Sequence, residues 1–137
     1  MAGNTAPIFT RVPNVQWVNG ITAANTAKDG TGTVDFVFNA DATNGSYLQK
    51  LVIRPRGTNV ASVLRVFINN GSANTTAANN ALIAEQTLVA TTNSEIAALS
   101  GAELPLNVPL SPGDRIFVTL GTAVAGGYTV TAFGGDY

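Results

Sequence analysis

The chain has no cysteine and no histidine. Without cysteine there is no disulfide framework and no thiolate chemistry. Without histidine the usual general base, the usual proton shuttle and the commonest transition-metal ligand are all missing. Charge is also scarce. Only 11% of the 137 residues are charged and the formal net charge is -1, so nothing resembles the basic patch that a phosphate backbone requires, and nucleic acid is not expected as a partner. No apolar run approaches the roughly 18 residues that span a membrane. The opening MAGNTAPIF lacks a charged n-region and an apolar h-region, so no secretory signal is read there and assembly in a cytoplasm is expected.

These gaps leave little room for catalysis. A nucleophilic serine or threonine would need lysine or an N-terminal amine as its base, yet Lys28 and Lys50 sit in no motif and Thr5 is not terminal. The eight carboxylates, Asp29, Asp35, Asp41, Glu85, Glu95, Glu103, Asp114 and Asp136, follow no strand pattern that forces two of them together as a glycosidase dyad. The segment KDGTGTVDF offers Asp29 and Asp35 but not the alternate-position ligands of a calcium loop, and reads as a turn before a strand. There is no GxxxxGK[ST] or GxGxxG. The triplets starting at Asn44, Asn70 and Asn74 match glycosylation sequons, as a composition this rich in Asn, Ser and Thr produces by chance. No catalytic, cofactor or metal residue is predicted, and the protein is read as a non-enzyme.

What is present is strand signal, punctuated by Gly, Pro and Asn throughout. GTVDFVFNA places Val34, Phe36 and Phe38 on one face. SYLQKLVIRP has Leu48, Leu51 and Ile53 as apolar anchors. ASVLRVFINN reads as buried on both faces, and ALIAEQTLVA follows it. ELPLNVPL carries Pro105 and Pro109, as an edge strand can. DRIFVTLG and GYTVTAFGG are expected to pair antiparallel. Asn19-Gly20, Asn44-Gly45 and Asn70-Gly71 suit hairpin bends, and LSPGDRI places Pro112 and Gly113 at the central positions of a turn. TNSEIAALSG, Thr92 to Gly101, predicts a short crossover helix capped by Ser94. Seven to eight short strands at even spacing predict an all-β fold, an antiparallel β-sandwich of jelly-roll type.

Two segments stand apart. Residues 1–22 contain two prolines and scattered apolar side chains, and read as an extended N-terminal arm ahead of a sandwich over residues 23–137. The arm's Ile8, Phe9, Arg11, Val12 and Trp17 are expected to lie on something, either their own domain or a neighbouring subunit. The second segment, NNGSANTTAANN (Asn69 to Asn80), is uncharged and holds nothing larger than Asn or Thr. It reads as a surface loop near a subunit contact, with Asn74, Thr75 and Thr76 as interface residues. Arg54 and Arg56 flank Pro55 and are expected to point the same way, placed to meet carboxylates across an interface.

The second half of the chain, from the VLRVFINNG strand and turn through LSPGDRI to the terminal AFGGDY, resembles small β-sandwich virion proteins of tailed bacteriophages. The resemblance implies a capsid decoration or cement protein on the outer surface of a phage head. Such proteins are commonly homotrimers that bind the major capsid protein or other virion subunits. It implies no cofactor and carries over no functional residue. A carbohydrate- or receptor-binding module of a virion fibre or tail draws on the same fold and the same Asn, Thr and aromatic residues, with Trp17, Tyr47 and Tyr137 as stacking candidates.

Overall fold

The computed structural model describes residues 9–137, and Ile8 lies outside them. Eight strands follow in chain order: β1 (Val12–Ile21), β2 (Asp35–Asn39), β3 (Ser46–Pro55), β4 (Ser62–Asn69), β5 (Asn80–Leu88), β6 (Ala102–Leu110), β7 (Arg115–Leu120) and β8 (Tyr128–Asp136). They form two four-stranded sheets. Sheet A has the order β1-β8-β3-β6 and sheet B the order β2-β7-β4-β5, and every pair of neighbouring strands is antiparallel. The architecture is an all-β sandwich, as expected. The pairing is nested: β4 with β5, β3 with β6, β2 with β7 and β1 with β8, like one long hairpin folded across two layers.

The core lies between the layers. Leu48, Leu51, Ile53, Val130 and Ala132 of sheet A meet Leu64, Val66, Ile116, Val118 and Leu120 of sheet B, and all ten are fully buried. Each buried Leu or Ile contributes about 1.5–3 kcal/mol. The three-residue step from Leu48 to Leu51 breaks the strand period of two, and the register shift between Leu48 and Lys50 accounts for it. One extra residue there returns Leu51 to the inner face.

Several expectations change. Phe36 and Phe38 do not share a face. A bulge between them leaves Phe38 in the core while Phe36 meets Phe117 on the opposite side of sheet B, edge to face at 5.4 Å. β7 and β8 do not pair but lie in different sheets. The Gly121–Gly127 connection crosses between layers, so Ile116, Val118 and Leu120 face Tyr128, Val130 and Ala132 across the core rather than beside them. Asn19-Gly20 is no hairpin: Gly20, at φ 72°, sits at the irregularity between Val18 and Ile21. The expected helix over 92–101 is absent. Ser94 Oγ accepts from the backbone N–H of Ile96 and Ala97, which closes only a single turn. Ile96 is 99% exposed, so no packing offsets the cost of helix nucleation.

The described part of the N-terminal segment, residues 9–22, is not separate from the sandwich. From Val12 to Ile21 it is the edge strand β1, in register with β8 from Val12↔Asp136 to Ile21↔Tyr128. Gln16 then ties this edge to the other sheet. Its side-chain amide donates to the Asn39 carbonyl at 2.9 Å and accepts from the Asn39 N–H at 3.1 Å, as a neighbouring strand would. The boundary expected at residue 22 therefore falls at the end of a sheet strand, and residues 12–21 dock on their own chain.

Candidate functional site

Strand alternation sends one set of sheet A side chains to the core and the other to the outer face. The outer set assembles in rows across the four strands. Trp17, Thr131, Val52 and Glu103 form one row; Val15, Phe133, Lys50 and Pro105 the next; Pro13, Gly135, Tyr47 and Pro109 the third. Trp17 is 60% exposed, Val15 43% and Phe133 36%. Lys50 is the cation of the middle row. It pairs with Glu103 and lies 5.8 Å from the centre of the Phe133 ring, so these three rows are largely apolar and carry no net charge, while Arg54, opposite Thr129 in the next row, bonds the Leu99 carbonyl.

Beyond the third row the face hollows into a cleft of about 620 Å3 lined by Phe9, Thr10, Tyr47, Gln49, Pro109, Gly134, Gly135 and Tyr137. Gly135 occupies an outward position with no side chain, and a Cβ there would lie 2.6 Å from Thr10 Oγ1. Tyr47 forms one wall, its hydroxyl donating to Asn107 Oδ1 at 3.0 Å. Asn107 adopts φ 51° between the two prolines of β6, a conformation that Asn tolerates better than most residues.

The structure brings together only part of the expected interface set. Trp17 and Phe9 share the outer face of sheet A, whereas Val12, 55% exposed, falls on the other face by alternation. Arg11 donates its backbone N–H to the Asp136 carbonyl at 2.7 Å and keeps an exposed side chain. Arg54 and Arg56 diverge instead of pointing the same way. Arg54 Nη2 donates to the Leu99 carbonyl beside β6, while the Arg56 guanidinium lies near Gly20 of β1, on the other flank of the sheet. The strand ends at Pro55, so its alternation does not extend to Arg56.

Asn74 is not free for a partner either. Its amide donates to the carbonyls of Gly30 (3.1 Å) and Gly32 (2.9 Å), and Asn80 Nδ2 donates to the Asp29 carbonyl at 3.1 Å. The β1–β2 connection starts beside β7, where Asn25 N–H donates to the Leu120 carbonyl. It reaches β5 at Asn80 and returns to β2, a path that crosses the outer face of sheet B. Phe67 and Phe117 stack there at 5.0 Å and are fully buried. The polar loop thus clamps a flap over a second, smaller apolar layer. Thr75 and Thr76 remain exposed on it.

The two acids of KDGTGTVDF have unlike surroundings. Asp29 accepts from the Thr31 hydroxyl and N–H, which holds its pKa below the usual value and accounts for the turn. Burial raises the pKa of Asp35. The folded state therefore binds this proton more readily than the unfolded chain, and stability falls as pH rises from the ordinary carboxylate range through the raised value. Asp35→Asn is expected to raise Tm at pH 7, with the gain shrinking toward pH 3, where both side chains are neutral. Equal gains at both pH values in thermal melts would refute this.

Sequence reasoning missed Phe133 and Gln49. The signal was available for Phe133: Val130 and Ala132 alternate to the buried face, which sends Phe133 to the outer one. No family model matches the chain, and no curated protein matches it. Among solved structures it is similar to one described as dimeric latent PorU from Porphyromonas gingivalis, at 12% identity and a TM-score of 0.37. The match covers 98% of this chain but 14% of that one, so the chain spans a small fraction of that protein's length. At this identity and score the likeness leaves function to be argued from the site itself.

Proposed function

We propose that the protein is a non-enzymatic structural subunit of a tailed-phage virion, of the capsid decoration or cement type, that docks on the major capsid protein at the outer surface of the head. The observation that carries this reading is the outer face of sheet A, where Val15, Trp17 and Phe133 stay exposed in adjacent rows. Contiguous exposed apolar surface on a folded domain marks a docking site. The one cation in these rows is already paired with Glu103, so covering these three rows desolvates no lone charge. The nested strand pairing supports reading the sandwich as a jelly roll, in line with the phage-like second half of the sequence.

The work of such a subunit is mechanical. A rigid sandwich presents one apolar face to a symmetry-repeated site, and a homo-oligomer, with a trimer favoured, engages several sites at once. Avidity then comes from modest contacts repeated by symmetry. The test pairs two measurements. Light scattering should give an oligomer mass, and the protein should co-sediment with empty phage heads up to a fixed stoichiometry. A monomer that stays in the supernatant overturns the proposal.

A further inference from the structure

We propose that the cleft beside the docking face is a binding site for a neutral saccharide. Its volume, about 620 Å3, falls within the roughly 300–1,000 Å3 typical of small-ligand sites. Its lining has the composition sugar recognition needs. Tyr47, Tyr137 and Phe9 supply ring faces for the apolar C–H side of a pyranose. Gln49 supplies an exposed amide that both donates and accepts, matching a pair of adjacent hydroxyls. The Tyr47 hydroxyl is fixed by Asn107, so the ring need not be ordered on binding, which lowers the entropic cost.

Other occupants fit less well. Among the described residues, no lysine, arginine or carboxylate side chain lines the cleft, so an anionic ligand finds no counter-charge among them. The floor is β8, whose backbone is already paired with β1 and β3 on its two sides, so an extended peptide cannot add as a strand. Gly135 lets Thr10 pack directly on β8 at this end of the cleft, where a Cβ would meet Thr10 Oγ1 at 2.6 Å.

The cleft adjoins the docking face: Val15 and Phe133 stand one row away, about 7 Å along the strands, and Trp17 two rows away, about 13 Å. Glycan calorimetry and co-sedimentation with heads read the two roles separately, so either can fail alone.

The full chain would be titrated calorimetrically with neutral gluco-, galacto-, manno- and N-acetylglucosamine oligosaccharides, with a heparin oligosaccharide as the polyanion. The expected result is millimolar or tighter binding of at least one neutral glycan, weakened about tenfold or more by Tyr47→Ala and by Gln49→Ala. Ile96→Ala, distant from the cleft and 99% exposed, should leave it unchanged. Gln49 is exposed, so Gln49→Ala keeps the test valid if Tyr47→Ala loosens the β3–β6 pairing. Binding of heparin alone, no neutral glycan binding, or binding indifferent to both cleft variants overturns the proposal.

Discussion

Trp17→Ala is expected to weaken head binding by roughly thirty- to a thousandfold, the range for a central aromatic anchor, while moving Tm little. The two effects separate because Trp17 is 60% exposed, so the isolated fold gains little from its burial and a covering partner gains much. Its backbone stays paired with Thr131 of β8, and that pairing does not depend on the side chain. The comparison variant is Thr75→Ala with Thr76→Ala. Both threonines are exposed on the polar loop at the edge of sheet B, the surface that the sequence alone favoured for subunit contact. Co-sedimentation of both variants with empty heads decides between the two surfaces. Loss with the threonine pair and retention with Trp17→Ala would move the docking surface to the loop and overturn the assignment made here.

Much of the fold was legible because burial is written into short-range pattern. Leu48, Leu51 and Ile53 were readable as anchors, and all three are fully buried. Pro105 and Pro109 marked an edge strand, and β6 is one. LSPGDRI fixed its turn through local geometry alone, with Gly113 at φ 82° and the Asp114 N–H donating to the Ser111 carbonyl at 3.0 Å. The errors occurred where the outcome depends on distant partners. Whether β7 pairs with β8 depends on which layer each must face, and adjacency in sequence is silent on that. The bulge that turns Phe36 away from Phe38 follows from the second apolar layer on sheet B, built with Phe117 and Phe67 from elsewhere in the chain. The N-terminal segment looked like an arm because its apolar residues are sparse. It is a strand because β8 offers it a free edge and Asn39 a place for the Gln16 amide. The proposed docking face was half visible: Trp17 stood out by type, whereas Phe133 drew no notice until registration with β1 placed it beside Val15.

The polar stretch Asn69–Asn80 gives the second large effect, and it falls on stability. Asn69→Ala is expected to destabilise the protein by about 2–4 kcal/mol, the cost of losing four part-buried hydrogen bonds, two of them from a guanidinium. Asn69 is fully buried. Its Oδ1 accepts from the Gly71 N–H at 2.8 Å and from Arg115 Nε and Nη2 at 3.1 and 2.9 Å, and its Nδ2 donates to Asn80 Oδ1 at 2.8 Å. Alanine removes all four bonds. It also frees Asn80, which holds the β1–β2 flap at Asp29, and loosens Arg115, whose guanidinium sits 4.3 Å from the centre of the Phe36 ring. The flap and the aromatic layer beneath it should therefore lose order together. At about 3 °C per kcal/mol for a chain of this size, Tm should fall by roughly 6–12 °C, with amide exchange accelerating first over residues 22–34. Asn74→Ala removes only the bonds to Gly30 and Gly32 and should cost less, with the same segment affected. A loop that merely faces solvent would show neither result, so an unchanged Tm and unchanged exchange in Asn69→Ala would reduce the stretch to the simple surface loop its sequence first suggests.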